Sequence, residues 1–337
     1  AMNLRTLAFD SARAVFRAAA KINAGAFLFE IARSEMTYTE QRPAEYACMV
    51  LAAALAEGWR GPVYIQGDHF QISGKKYAAD PAAEVQGVRD LIEEAVKAGF
   101  YNIDIDSSTL VDLSQPTIAA QQAVNTERCA ELTASVRAVE PPGITTSTGG
   151  EIGEVGGKNS TEEELRAFMD GYNAVLARLG AGLTGISKIS VQTGTSHGGV
   201  VLPDGSIARV AVDFDTLQRL SKVAREEYGL AGAVQHGAST LPEFMFRKFV
   251  EAGECEVHLA TNFQNMLFDR LPAALRAEMF DWVRANAADE RKATDTEEQF
   301  LYKSRKKSIG PFKRQLWELP LDVRGEIESA WEQQFSF

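Results

Sequence analysis

Stretches with apolar residues at helical spacing alternate along this chain with short apolar runs. Helical spacing predicts amphipathic helices, and short apolar runs bounded by polar residues predict buried strands. The predicted strands cover residues 26–31, 62–66, 101–106, 144–152, 186–192, 232–235 and 254–260. The predicted helices cover residues 10–22, 43–58, 81–98, 116–139, 214–228 and 241–251, with one more starting near Thr161 and another near Asn262.

Strict alternation of strand and helix, with right-handed crossovers, produces either an open doubly wound sheet or a closed (β/α)8 barrel. An open sheet places its site at one switch point, whereas a barrel gathers all its strand ends around one mouth. Polar residues that could take part in catalysis or binding follow at least five of the strands, which favours the barrel. We therefore predict an α/β protein with a (β/α)8 TIM barrel over residues 1–270. The natural place for its eighth strand is before residue 10, and we expect that first strand to be missing or disordered at the N-terminus.

Residues 271–337 break the alternation and contain three of the four tryptophans. We predict a C-terminal helical extension that packs on the barrel or forms a subunit interface. Its basic cluster is interpreted as a solvated face, and the alternative is a lid that adds positive charge to the mouth. The cluster consists of Lys303, Arg305, Lys306, Lys307, Lys313 and Arg314.

Composition narrows the functional class. The formal net charge of −11 argues against general nucleic-acid binding, although a site can be locally positive. Apolar runs stay well short of the roughly twenty residues of a membrane span, and charged residues interrupt the first twenty positions, so no signal peptide is predicted. The 3 cysteines form no CxxC pair, which fits a reducing cytoplasm.

Three of the 4 histidines, His69, His197 and His236, lie in glycine-flanked segments directly after predicted strands. One such histidine alone would be interpreted as an ordinary hydrogen-bonded residue. Three neutral imidazoles that meet at one barrel mouth, with one position left open, form a catalytic zinc site. Other divalent first-row ions are alternatives.

Carboxylates accompany these histidines at the strand ends. Asp68 directly precedes His69, and either a general base or a group that orients the histidine fits that position. Asp104 and Asp106 share one face of a strand, and Glu151 opens a glycine-rich loop. Several buried acids around one mouth are costly unless cations neutralise them, which supports a metal near Asp106 and Glu151. The alternative is that they bind a substrate hydroxyl.

The residue pattern of two later loops is typical of phosphate-binding sites. The segments 236–239 and 260–262 each place small or hydroxyl residues before a predicted helix. Backbone N–H groups at helix N-termini bind phosphate, and the last two strands of a barrel are the usual place for this. Each segment alone is also compatible with a plain helix cap.

At these residues the chain resembles the class II, zinc-dependent fructose- and tagatose-bisphosphate aldolases, over about residues 10–270. Six landmarks occur in the family's order: Ser34 after a strand; Asp68-His69; Ile105-Asp106-Ser107-Ser108; Glu151-Ile152-Gly153 followed by Gly156-Gly157; Gly194 to Gly198; and His236-Gly237-Ala238-Ser239 followed by Leu259-Ala260-Thr261.

The resemblance implies a lyase of carbohydrate metabolism, such as glycolysis, that forms dihydroxyacetone phosphate and an aldehyde from a phosphorylated ketose. Zinc would be held by His69, His197 and His236, with Asp106 and Glu151 as an alternative metal position. Asp68 would move the proton of the C4 hydroxyl, and the zinc would stabilise the enediolate. Substrate contacts would come from Ser34, Gly198, Gly237, Ser239 and Thr261. Some members also hold a monovalent cation near the phosphate loops, and homo-oligomers, dimers or tetramers, are expected.

The chain departs from the family pattern at two places. A long loop with an acidic proton-transfer residue is usual after the glycine pair, whereas here a helix follows almost at once. Glu154 is our candidate for that residue, with the glutamates 162–164 as alternatives. His258 stands where the family has a substrate-contacting asparagine, and it is expected to contact substrate or only to pack.

Two other functions remain open from the sequence. Accessory-type subunits of tagatose-bisphosphate aldolases share the fold and support a catalytic partner, and the shortened loop favours that hypothesis. The complete set of three histidines speaks against it. A zinc hydrolase on the same barrel would need a water-activating base but no phosphate loops.

Overall fold

A computed structural model describes residues 1–153, 158–194, 202 and 212–337. These residues contain eight strands: β1 (Met2–Asn3), β2 (Leu28–Ala32), β3 (Tyr64–Gln71), β4 (Asn102–Asp106), β5 (Ser147–Glu151), β6 (Lys188–Ser190), β7 (Ala233–Gln235) and β8 (Glu256–Val257). They also contain fourteen α-helices: α1 (Ala8–Ile22), α2 (Arg33–Tyr38), α3 (Pro43–Ala56), α4 (Gly74–Ala79), α5 (Pro81–Lys97), α6 (Ile118–Val139), α7 (Glu162–Leu179), α8 (Phe214–Tyr228), α9 (Phe246–Glu251), α10 (Thr261–Arg270), α11 (Ala273–Asn286), α12 (Glu297–Ser304), α13 (Lys313–Trp317) and α14 (Leu321–Ser336).

The strand–helix alternation is confirmed, and the protein is of the α/β class. All seven predicted strands are present with shifted ends, and every strand pairing that the structure describes is parallel. The N-terminus of α7 is a capping box, in which Thr161 and Glu164 each accept the other's backbone N–H.

The expectation of a missing first strand is wrong. Met2 and Asn3 form β1 and pair in parallel with Phe29 and Glu30 of β2. The strand is only two residues long, so its apolar pattern is too short to be recognised in sequence. The backbone N–H of Asn3 also donates to the carbonyl of Leu259 at 2.8 Å, which fixes this short strand from its other side.

The described residues divide into two units, and the first consists of residues 1–63, 202 and 259–337. Helices α1 and α14 pack together in it. Arg17 of α1 lies 2.7 Å from Glu332 and 2.8 Å from Glu328, both on α14. The buried Trp331 of α14 donates its ring N–H to the backbone oxygen of Phe263 at 2.9 Å. Residues 271–337 contain the helices α11 to α14, and the last of these helices packs within this unit.

The basic cluster of the C-terminal segment is largely paired within the same unit. Lys313 lies 2.6 Å from Glu45, and Lys303 lies 2.6 Å from Asp295. Arg305 is buried, and its guanidinium lies 4.8 Å and 4.6 Å from the ring centres of Phe268 and Tyr302. The interpretation as a wholly solvated face is therefore wrong for Arg305, because two aromatic rings cover its charged group.

The second unit consists of the described residues 64–153, 158–194 and 212–258 and contains β3 to β8. Its six strands pair in chain order to form one parallel sheet. The carboxyl ends of parallel strands lie at one edge, so residues that follow different strands can meet there. Among the described helices, none combines the length and apolar character of a membrane span.

Candidate active site

A bulge in β3 brings two adjacent side chains together. The pairing of β3 with β4 shifts its register between Gly67 and Phe70, and His69 has a φ of 40°. In a regular strand Asp68 and His69 would point to opposite faces. The extra residue of the bulge changes this, and the Nε2 atom of His69 lies 3.8 Å from the Oδ1 atom of Asp68.

His69 is oriented by two carboxylates from the neighbouring strands. Its Nδ1 atom lies 3.1 Å from Asp106, the last residue of β4, and 3.2 Å from Glu151, the last residue of β5. An ionised carboxylate only accepts hydrogen bonds, so Nδ1 donates, and Nε2 is the ring nitrogen left on the side of Asp68. This is the carboxylate–histidine arrangement that prepares an imidazole to bind a metal.

His236 approaches from the end of β7. Its Nε2 atom lies 3.0 Å from the hydroxyl of Ser190 at the end of β6, and its ring centre is 4.2 Å from that of His69. The Ser190 contact engages Nε2, and the other ring nitrogen, Nδ1, lies 3.9 Å from Asp68. His69 and His236 therefore present one nitrogen each toward the same carboxylate.

His258, which follows β8, completes a ring of imidazoles around Asp68. Its Nδ1 atom lies 3.4 Å from the Oδ1 atom of Asp68, and its ring centre is 4.2 Å from that of His236. Its Nε2 atom lies 3.1 Å from Glu256. One oxygen of Asp68 thus has three imidazole nitrogens within 4 Å: one from β3 itself and two from the residues that follow β7 and β8.

A buried ion-pair network lies beside His258. The ammonium of Lys188, in β6, is 2.6 Å from Glu256, 3.0 Å from Asp104 and 2.6 Å from the side-chain oxygen of Gln66. The backbone of Gly149 makes room for it, because a Cβ there would lie 2.3 Å from Asp104. Lys188 supplies one positive charge between two carboxylates that would otherwise have no cation beside them.

We expect Lys188→Met to lower the free energy of unfolding by about 3 kcal/mol, because it leaves two carboxylates buried without their cation. Urea denaturation of parent and variant in one buffer measures this change. The control is Lys222→Met on α8, whose side chain is 65% exposed and whose loss should change stability by less than about 0.5 kcal/mol. Equal stability of parent and Lys188→Met would contradict the assigned role of the network.

The surroundings of the cluster shift the pKa values of its carboxyl groups in opposite directions. Burial opposes the ionisation of Asp68, but the surrounding imidazoles, His69 first, outweigh it and hold the pKa of Asp68 well below its usual value. Burial, followed by the charge of Asp106, raises the pKa of Glu151 to about 7. Burial also raises the pKa of Asp104 to about 6, although Lys188 opposes this shift. Glu151, a buried acid with a raised pKa beside the second carboxylate Asp106, marks a place where a cation would be stabilising.

Among the described residues, the second unit holds three sets of side chains whose donor atoms lie within 4.8 Å of one another. They are Asp68, His69 and His236; His69, Asp106 and Glu151; and Asp104, Glu256 and His258. In the last set Lys188 already supplies the positive charge. The first two sets combine imidazole nitrogen and carboxylate oxygen, a donor set that suits zinc and other first-row divalent ions.

The other predicted site residues are placed as follows. Gly237 and Ser239 directly follow His236 in the second unit, and Gly237 has a φ of 72°, which suits a sharp turn after β7. Ser34 lies on α2 and Thr261 is the first residue of α10, both in the first unit. Three predicted residues fall outside the described part of the chain: Glu154, His197 and Gly198.

Sequence reasoning missed the residues that support the histidines: Gln66, Lys188, Ser190 and Glu256. A signal for two of them is present, since Lys188 and Glu256 are charged residues inside short apolar strands. Lysine and glutamate are almost never fully buried unless they are paired. Their positions within parallel strands therefore indicate a buried ion pair.

Comparison with known proteins decides the family. Residues 1–314 match the family model described as fructose-bisphosphate aldolase class-II. The chain belongs to this family. The resemblance inferred from the six landmarks is thereby confirmed, and this class II family usually uses a divalent metal ion.

Solved structures with the same fold have diverse names. A probable tagatose 6 phosphate kinase from Sinorhizobium meliloti 1021 is 17% identical with a TM-score of 0.69, covering 99% of this chain and 91% of that one. The fructose-bisphosphate aldolase of Campylobacter jejuni is 16% identical, with a TM-score of 0.54 and coverage of 99% and 88%. A fructuronate-tagaturonate epimerase from Cohnella laeviribosi is 10% identical, with a TM-score of 0.63 and coverage of 99% and 79%. At these identities the similarity shows the fold alone.

Proposed function

We propose that this protein is a metal-dependent aldolase that cleaves or forms a phosphorylated ketose similar to fructose 1,6-bisphosphate. The products of cleavage would be dihydroxyacetone phosphate and an aldehyde. The observation that carries the proposal is the position of Asp68, with imidazole nitrogens of His69 and His236 at 3.8 Å and 3.9 Å. Retro-aldol cleavage requires a base beside a metal ion, and Asp68 lies beside two imidazole nitrogens that could ligate one.

Each residue of the cluster has a role in this proposal. His69 and His236 would hold the zinc ion through Nε2 and Nδ1, together with His197. When bound, the zinc supplies a Lewis acid that stabilises the negative charge developing on the ketose. Asp68 accepts the proton of the C4 hydroxyl as the carbon–carbon bond breaks. Asp106 and Glu151 hold the His69 ring in place and offer an alternative metal position.

The substrate contacts rest on family membership. Gly198, Gly237, Ser239 and Thr261 would bind a phosphate group through backbone N–H and hydroxyl groups, and Ser34 would be a further contact. Glu154 remains the candidate for the second proton transfer, and a monovalent cation near the phosphate loops remains a prediction. We also propose that the eight strands close into a (β/α)8 barrel, and that the protein works in the cytoplasm as a homo-oligomer without nucleic-acid or membrane partners.

The test is an assay of cleavage with defined metal content. The purified protein is stripped with a chelator, reloaded with zinc, and given fructose 1,6-bisphosphate or tagatose 1,6-bisphosphate. Release of dihydroxyacetone phosphate is measured by coupled reduction. We expect cleavage by the zinc-loaded protein, loss of cleavage after chelation, and recovery when zinc is returned.

The alternatives give different results in the same assay. An accessory-type subunit would release no dihydroxyacetone phosphate by itself but would raise the activity of a catalytic partner. A zinc hydrolase would release phosphate without breaking the carbon chain. Failure of the zinc-loaded protein to cleave either bisphosphate would contradict the proposed function.

A further inference from the structure

The ring of His258 is fixed between two carboxylates. Its Nδ1 atom lies 3.4 Å from Asp68, and its Nε2 atom lies 3.1 Å from Glu256. The side chain is only 3% exposed, and the ring of His236 lies against it with a centre-to-centre distance of 4.2 Å. Both edges of the imidazole and one of its faces are therefore in contact with other groups.

The carboxylate on the Nε2 side is itself held rigidly. Glu256 is 2.6 Å from the ammonium of Lys188, which also contacts Asp104 and Gln66. The side-chain amide of Gln66 lies 3.4 Å from the same Nε2 atom of His258. A ring held in this way cannot turn about its axis without breaking contacts to a buried ion-pair network.

We propose that His258 is a positioning residue for Asp68. Its ring is held by the Lys188–Glu256 pair on one side and fixes the orientation of the Asp68 carboxylate on the other. The inference rests on the proposed function of Asp68 as the base. Asp68 needs such support because it lies at a bulge next to His69, whose φ of 40° is unfavourable for a residue with a side chain.

Orientation is decisive for a general base. The accepting oxygen must come within hydrogen-bond reach of the hydroxyl proton, about 2.6–3.2 Å between heavy atoms. A misplacement of about 1 Å costs up to 10²-fold in rate. Loss of the His258 contact should therefore lower the rate of the chemical step and leave substrate binding intact.

Two near-isosteric variants separate the two ring nitrogens. In His258→Asn the side-chain amide can occupy the position of Nδ1 and contact Asp68. In His258→Gln it can occupy the position of Nε2 and contact Glu256 only. We expect His258→Asn to keep kcat within about 5-fold of the parent and His258→Gln to lose about 10- to 100-fold, as is typical for groups that orient site residues. KM and zinc content should not change in either variant.

The control is Cys255→Ser, one residue before Glu256, whose thiol contacts the backbone oxygen of Ala233 rather than the network. It should keep the parental kcat. Equal losses of kcat in the Asn and Gln variants would overturn the inference. A rise in KM at unchanged kcat would show a substrate contact instead, and loss of zinc would show a metal ligand.

Crystal structures of the zinc-loaded parent and both variants give a readout that does not depend on turnover. We expect the Asp68 carboxylate to keep its orientation in His258→Asn and to rotate in His258→Gln. An unchanged Asp68 in His258→Gln would overturn the inference. If the parent cleaves no phosphoketose, the proposed function fails, while these structures still decide whether His258 positions Asp68.

Discussion

Replacing Asp68 by alanine should lower kcat for cleavage of the bisphosphate by about 10²-fold or more, while the zinc content stays at the parental value. The carboxylate oxygen lies within 4 Å of three imidazole nitrogens, so it is the group placed to take a proton beside the metal. Asp68→Asn should have the same effect, because the amide preserves the volume but cannot accept the proton.

The measurement combines steady-state kinetics with elemental analysis of the same samples. Asp90→Asn, an exposed aspartate on α5, is the matched control and should retain full activity. Parental turnover in Asp68→Ala would remove this residue from the mechanism. Loss of zinc together with turnover would assign Asp68 to the metal instead.

The second large effect is expected for His236→Ala, which should weaken zinc binding by more than about 100-fold and lower cleavage with it. His236 offers Nδ1 to the cluster while Ser190 engages its Nε2 atom. Removing the imidazole ligand itself should weaken zinc binding by more than the 10- to 100-fold that is typical of losing a group hydrogen-bonded to a ligand. Ser190→Ala removes only the hydroxyl that contacts His236, so it should weaken zinc binding by about 10- to 100-fold.

Zinc affinity is measured by competition with a chromophoric chelator, and zinc content by elemental analysis. A His236→Ala protein that holds one zinc ion per chain as tightly as the parent would show that this histidine is no ligand. Circular dichroism of the variant distinguishes loss of the ligand from loss of the fold.

The sequence predicted the strand–helix order well because each element has its own periodicity. Helices such as α5 and α8 extend over four turns or more and show the helical spacing clearly. The helices α2 and α4 were missed, since six residues are too few to establish a period. The two residues of β1 escaped recognition for the same reason.

The site was predictable in its residues but not in its contacts. His236 follows β7, and Asp68 and His69 lie inside β3 near its carboxyl end, so the order of the strands is enough to bring these residues together. The bulge at His69 depends on how β3 pairs with β4, which no local pattern encodes. The contact of His258 with Asp68 likewise depends on the buried Lys188 network, whose members lie on four different strands.

Two glycines of β5 show a requirement that no local pattern encodes. Gly149 and Gly150 lie inside the strand, as the prediction of a strand over residues 144–152 implied, and pair with Lys188 and Ile189 of β6. Gly149 is required by space, because Asp104 occupies the position that its Cβ would take. Such a requirement becomes visible only when the neighbouring strand is in place.

The central claim is that His69 and His236 hold one catalytic zinc ion beside Asp68. Anomalous X-ray diffraction at the zinc absorption edge, on crystals of the zinc-loaded protein, tests it most directly. The account predicts one zinc peak about 2.0–2.1 Å from the Nε2 atom of His69 and the Nδ1 atom of His236. A zinc ion bound elsewhere, or no zinc peak at these two nitrogens, would contradict it.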